Sequence, residues 1–76
     1  MNTGNVSFSG GTSSYVNLAD AYRGLQRDGD AEKLLRRGLS LLPRAAELHH
    51  ALGLLLVRKG DKVAAMAELS LAAKLA

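Results

Sequence analysis

The 76-residue chain contains no cysteine, no tryptophan and one proline, and it has only three aromatic residues. Without cysteine, neither a disulfide nor a thiolate zinc site can form. The three aromatic residues do not interleave with the basic ones, so the chain lacks the stacking platform of single-strand nucleic-acid binders. The core must come from Leu, Ala and Val, and a composition rich in Leu and Ala favours helices over sheets.

Long hydrophobic runs are absent as well. No stretch approaches the roughly 20 apolar residues that span a bilayer, and the N-terminal segment lacks the basic start and apolar middle of a signal peptide. We therefore expect no membrane partner and a cytoplasmic protein. The net charge of +3 is dispersed, and its nearest approach to a cluster is Arg58, Lys59 and Lys62. We interpret this group as a solvated helix end, so nucleic acid is a less favoured partner.

Composition divides the chain into two segments. Residues 1–12 are rich in Gly, Ser, Thr and Asn, which predicts a flexible lead. Residues 13–76 show helical periodicity and predict one small all-α domain. A domain of this size buries only about 60% of the surface that its unfolded chain exposes, so its stability is marginal.

Four helices are predicted from residue 13 onward. Ser13 or Ser14 can cap the first helix, Gly29 is predicted to end it at C′, and Asp30 is predicted to cap the second. Pro43 ends the second helix. The predicted apolar stripes of these two helices are Tyr15, Leu18, Ala19, Tyr22 and Leu25, then Leu34, Leu35, Gly38, Leu39 and Leu42.

The third helix is predicted over about 45–59, and the fourth follows after a tight turn. Gly60 should end the third helix and Asp61 should cap the fourth. Four helices with short joints predict two antiparallel hairpins. The predicted stripes are Leu48, Leu52, Leu55 and Leu56 on the third helix, and Val63, Ala64, Ala67, Leu71 and Leu75 on the fourth.

The second hairpin repeats the first at a constant displacement of about 34 residues along the chain, which is here named the repeat shift. The repeat shift pairs residues of similar size, namely Leu18 with Leu52, Ala19 with Gly53, Ala31 with Ala65, Leu35 with Leu69, and Gly38 with Ala72. Because helices cross closely only where side chains are short, the small members of these pairs predict the helix crossings. The predicted turns Gly29-Asp30 and Gly60-Asp61 lie closer together than one repeat shift, which implies a late turn in the first unit.

This pattern resembles the tetratricopeptide repeat, whose helix–turn–helix unit has about 34 residues and this spacing of large and small positions. The resemblance implies two units, over about 12–45 and 46–76, that stack as a fragment of a right-handed superhelix. His49 stands where the family has an aromatic residue and Leu56 stands where it has Tyr.

The resemblance also implies a protein–protein interaction scaffold. In such arrays the first helix of each unit lines a groove for a peptide or partner segment. Val16 and Asp20 stand where carboxylate-binding members place Lys and Asn, so we do not expect that specificity. The groove is predicted to be lined by Val16, Asn17, Asp20, Arg23, His50, Leu54, Val57 and Arg58.

No catalytic, cofactor-binding or metal site is predicted. His49 and His50 are helical neighbours whose side chains diverge by about 100°, so they cannot share a metal ion. His49 falls on the packing stripe and His50 on the groove. The serines and carboxylates form no nucleophile constellation, and capping accounts for most of the carboxylates. We therefore expect no enzyme.

The fourth helix is apolar on more than one side, which leaves a second interpretation open. The chain could be a structural element that forms a homodimer through uncovered helix faces, with Leu71 and Leu75 near the contact. A small basic nucleic-acid-binding domain is the third and weakest interpretation.

Overall fold

The computed structural model describes residues 11–76, which form four α-helices of 14 residues each. They are α1 (Gly11–Gly24), α2 (Asp28–Leu41), α3 (Ala46–Lys59) and α4 (Lys62–Leu75). The helices pack as two hairpins, α1 with α2 and α3 with α4, and α3 also packs on α1 and α2. This architecture confirms the predicted all-α fold of two helical hairpins. Within residues 11–76, no helix is long and apolar enough to cross a membrane.

The predicted lead falls mostly outside the described residues. Its last two residues, Gly11 and Thr12, already belong to α1, which therefore begins before the predicted start at residue 13. Ser13 and Ser14 consequently lie inside the helix rather than at its N-cap. The first turn is fixed to the second hairpin, because the Thr12 hydroxyl donates to Glu47 Oε1 of α3 at 2.7 Å.

The core lies between the hairpins and centres on α3. Leu48, Leu52, Leu55 and Leu56 are all buried, as predicted. Each of the other three helices contacts α3 directly, so the leucines of this one helix supply most of the core volume. The remaining core residues are Ala19, Ala31, Leu35 and Ala65.

Two glycines make the close helix crossings possible. A Cβ on Gly53 would lie 2.7 Å from Cγ and Cδ2 of Leu69, inside the second hairpin. A Cβ on Gly38 would lie 3.0 Å from the Tyr15 ring and 3.1 Å from Leu48 Cδ1, where the two hairpins meet. These distances are shorter than ordinary carbon contacts, so packing accounts for both glycines, as the repeat pattern predicts.

The turn of the first hairpin differs from the predicted one. Gln26, at φ 61°, takes the left-handed position that Gly29 was predicted to occupy. The Gln26 amide donates to the Arg23 carbonyl at 2.9 Å and the Arg27 amide donates to the Tyr22 carbonyl at 2.8 Å, which is a Schellman motif. The Arg27 guanidinium also lies 5.3 Å from the Tyr22 ring centroid. Gly29 lies inside α2.

The second hairpin turns as predicted. Gly60 has φ 89° at the end of α3, and Asp61 caps α4 by accepting from the Ala64 amide at 3.1 Å. Asp30, the predicted cap of α2, instead lies in the first helical turn and accepts from Arg27 Nε at 2.7 Å. Under the repeat shift, the left-handed residue Gln26 is equivalent to the left-handed Gly60. The turn therefore falls at the same position in both units, and the late turn predicted for the first unit is wrong.

Several residues of the predicted stripes are exposed. Leu18 and Leu25 on α1 face outward, as do Val63 and Ala67 on α4. The helix α4 is buried instead through Ala65 and Ala72, with Leu69 against Gly53. The α4 sequence is apolar on most sides, so its periodicity does not define a single stripe.

The crossing at Gly53 can be tested with a single methyl group. Gly53→Ala places a Cβ against Leu69, and we expect overpacking of about 1–3 kcal/mol to exceed the roughly 1 kcal/mol that Ala contributes to helix propensity. Urea denaturation should show a lower free energy of unfolding. Gly29→Ala is the control, since nothing lies within 4 Å of its Cβ position, and it should be neutral or stabilising.

Substituting the left-handed residue of each turn tests whether the two turns are equivalent under the repeat shift. Gln26→Gly should raise the free energy of unfolding by about 1 kcal/mol, because glycine adopts the left-handed conformation without steric cost. Gly60→Gln should lower it by a similar amount for the same reason. Equal responses of the same sign at the two positions would contradict their equivalence.

Candidate functional site

An open groove of about 470 Å³ lies between α1 and α3, the first helices of the two hairpins. It contains six of the eight residues predicted to line a partner-binding groove. From α1 these are Val16, Asn17, Asp20 and Arg23, and from α3 they are His50 and Leu54.

The other two predicted residues lie outside this groove. Val57 is exposed further along α3. Arg58 points toward the first hairpin, where its Nε donates to Asp28 Oδ2 at 2.9 Å. Both residues belong to the last turns of α3, beyond the part that faces α1 across the groove.

Sequence reasoning missed three lining residues, Ser13, Glu47 and Ala51. The repeat itself contains the signal that would have found them. The groove positions pair under the repeat shift, as Ser13 with Glu47, Val16 with His50, Asn17 with Ala51, and Asp20 with Leu54.

The groove has two carboxylates and one guanidinium. Arg23 Nη1 lies 3.7 Å from Asp20 Oδ1 one helical turn earlier, so these two charges offset each other locally. Glu47 is the second acid, and its Oε1 accepts from the Thr12 hydroxyl. With neutral histidine, these side chains leave the groove with one net negative charge in a chain whose total is positive.

The two histidines lie in different surroundings. His50 is exposed in the groove, whereas His49 is 7% exposed and belongs to the packing. His49 Nδ1 lies 2.7 Å from Glu68 Oε1 of α4, and its Nε2 lies 2.8 Å from the Pro43 carbonyl oxygen. Among the described residues, no group of three His, Cys, Asp or Glu side chains is close enough to hold a metal ion.

Both ring nitrogens of His49 face hydrogen-bond acceptors, which a neutral imidazole cannot satisfy because it has only one N–H. Burial lowers the pKa of His49, but the hydrogen bond to Glu68, the Pro43 carbonyl and the charge of Glu68 together outweigh it, so the pKa is raised. As an imidazolium, His49 links the joint between the hairpins to α4.

Two members of the predicted basic cluster, Arg58 and Lys59, form ion pairs at the opposite end of α3. Arg58 pairs with Asp28, and Lys59 Nζ donates to Glu32 Oε1 at 2.6 Å. Arg36 Nε also donates to Glu32, at 2.8 Å. The hydrogen bonds from Lys59 and Arg36 lower the pKa of Glu32. The contacts of Arg58 and Lys59 join α3 to the start of α2 and offset the positive charges of these two residues.

A model of the tetratricopeptide repeat family matches residues 12–43, which cover α1 and α2. This segment of the chain is similar to one tetratricopeptide repeat. This match confirms the family predicted from the spacing of large and small residues. Such repeats act in general as protein–protein interaction scaffolds. The α3–α4 hairpin has the helix lengths and turn geometry of the matched repeat at the positions given by the repeat shift. No curated protein and no solved structure matches the chain significantly.

The environment of His49 predicts a pH-dependent stability. A folded-state pKa above the unfolded value of about 6.5 means that the stabilisation is complete below that pH. It should be lost as the pH rises through the folded-state pKa. Urea denaturation at a series of pH values from 5 to about 9 should therefore show a free energy of unfolding that falls as the pH rises above about 6.5.

The matched control for this titration is the neighbouring histidine. His49→Gln should remove this pH dependence together with part of the stability, since it deletes the cation between Glu68 and Pro43. His50→Gln changes an exposed groove side chain and should keep the slope. A slope that disappears only with His50 would contradict the assignment.

Proposed function

We propose that this chain is an interaction scaffold that binds a peptide or partner segment in the groove between α1 and α3. The observation that carries the proposal is the convergence of Val16, Asn17, His50 and Leu54 on one open surface. These residues come from the first helices of both units, which in this repeat family are the helices that line the groove. Half of this set is apolar, which suits a partner that buries side chains as well as forming hydrogen bonds.

The charges of the groove favour a neutral or basic partner. The groove lacks lysine, its one arginine is offset by Asp20, and Glu47 adds a further negative charge. A free carboxylate would meet these acids without a cation to compensate for its desolvation. An extended segment with an apolar side chain over Leu54 and a Lys or Arg near Glu47 would match both features.

The two rival functions rest on fewer observations. Self-association through α4 is favoured by the exposure of Leu71, at 39%, while Leu75 is half-buried. Nucleic-acid binding would use the basic residues at the end of α3, but Arg58 and Lys59 are paired with carboxylates of α2. A phosphate backbone would have to displace those ion pairs, so the charge balance gives this function little support.

Selection from a library of random peptides displayed on phage tests the groove without a known partner. Peptides bound by the immobilised chain should contain apolar residues and few acidic ones, and calorimetry should give their affinities. We expect Leu54→Lys to weaken their binding by about tenfold or more, which is about 1.4 kcal/mol. The bound peptide would bury the lysine charge where it otherwise contacts the apolar Leu54 side chain.

Val63→Lys is the matched control. Val63 is 84% exposed on α4, so the same change of charge is made outside the groove and should leave affinity unchanged. A library that gives no binder above background would contradict the proposed function. Equal losses in the two variants would place binding elsewhere on the surface.

A further inference from the structure

The contact between the two hairpins shows how one unit docks on another. Here α3 packs on α2, with Leu48 at Gly38 and with Lys59 hydrogen-bonded to Glu32. The contacts run along both helices. The end of α2 lies against the start of α3, and the start of α2 lies against the end of α3. The repeat shift therefore identifies the equivalent surfaces at the two ends of the chain.

One of these surfaces lies on α1 and is here named the docking face, consisting of Ser14, Leu18 and Leu25. Leu18 is equivalent to Leu52 of α3. Leu52 is fully buried on α3, which packs on the preceding unit, whereas Leu18 is 48% exposed. Leu25 is 67% exposed, so a face that is covered on α3 is open and apolar on α1.

The other surface lies at the far end of the second hairpin and is here named the end socket, consisting of Met66, Leu69, Ala72 and Ala73. Part of it is a concave apolar surface of about 400 Å³ between the start of α3 and the end of α4. Leu69 is half-buried, while its counterpart Leu35, in the unit on which α3 docks, is 1% exposed.

The docking face and the end socket match each other chemically. Leu25 is equivalent to Lys59 and Met66 to Glu32, so the Lys59–Glu32 ion pair of the internal junction corresponds to two apolar side chains that are 67% and 64% exposed. The other ion pair of that junction, Arg58 with Asp28, corresponds to Gly24 and Lys62. The side-chain sizes also change in compensating directions between the internal junction and the two outer surfaces. Ser14 replaces the larger Leu48, and Ala72 replaces Gly38, where a Cβ would lie only 3.1 Å from Leu48 Cδ1.

We propose that the chain associates head to tail, with the docking face of one copy seated in the end socket of the next. The partner is a second copy of this chain, because one molecule carries both halves of the same junction. Such a contact is heterologous and leaves an unused half at each end, so association continues beyond a dimer. Successive copies would place α1 beside α3 of the preceding copy and lengthen the groove, although the proposal does not depend on peptide binding there.

A twofold contact through Leu71 and Leu75 is the alternative arrangement. Their equivalents on α2, Arg37 and Leu41, are exposed although α3 is docked on that helix. Leu71 and Leu75 therefore lie outside the head-to-tail junction, and a substitution at Leu71 separates the two arrangements.

Sedimentation velocity of the 76-residue chain over a hundredfold range of concentration tests the proposal. The mass should rise with concentration past that of a dimer. Leu18→Glu, which damages the docking face, and Ala73→Glu, which damages the end socket, should each be monomeric. An equimolar mixture of these two variants should form a dimer of about twice the monomer mass and stop there, because it retains one intact junction.

Leu71→Glu is the control and should associate like the unaltered chain. Circular dichroism checks that each variant is helical, and Leu25→Glu replaces Leu18→Glu if the latter unfolds. A monomeric mass at every concentration would overturn the proposal. So would a dimer that Leu71→Glu abolishes, or a mixture of the two variants that remains monomeric.

Discussion

The close approach of helix backbones at small side chains is the constraint on which this structure depends. Gly53 lets α4 pack on α3, and Gly38 lets the second hairpin pack on the first. Larger residues at these positions would separate the helices and uncover the four buried leucines of α3. In a chain with no cysteine and few aromatic residues, those leucines are the main source of stability, so the small residues determine whether the core forms.

The features that the sequence predicted well follow from this constraint. Side-chain size at a fixed spacing identified the helix pairs, the crossing residues and the buried stripe of α3. The first turn was predicted wrongly because Gly29 has the stronger local preference for a helix end, whereas the repeat shift places the left-handed residue at Gln26. The α4 stripe was ambiguous because alanine and leucine occur on most sides of that helix. At the first turn, the local preference of glycine for a helix end gave the wrong position, whereas the long-range repeat gives the right one.

The groove illustrates the same difference between local and long-range information. Periodicity along α1 and α3 identified the residues on their outer faces, but it did not show how far the two helices run side by side. That extent excludes Val57 and Arg58 and includes Glu47. It is set by contacts distant in sequence, such as the hydrogen bond from Thr12 to Glu47 and the ion pair of Arg58 with Asp28. Neither contact has a signature in a single helical stripe.

The contacts that join the hairpins also separate the surfaces available for interaction. Ion pairs at the end of α3 and the buried His49 between Pro43 and Glu68 fix the second hairpin against the first. The positions equivalent to Lys59 and Glu32 on the outer ends hold the apolar residues Leu25 and Met66. A junction with a matched ion pair is specific to one register, whereas an apolar junction stabilises by burial alone. The charged internal contact therefore fixes how the two hairpins of one chain pack, whereas the proposed head-to-tail contact would depend on burial.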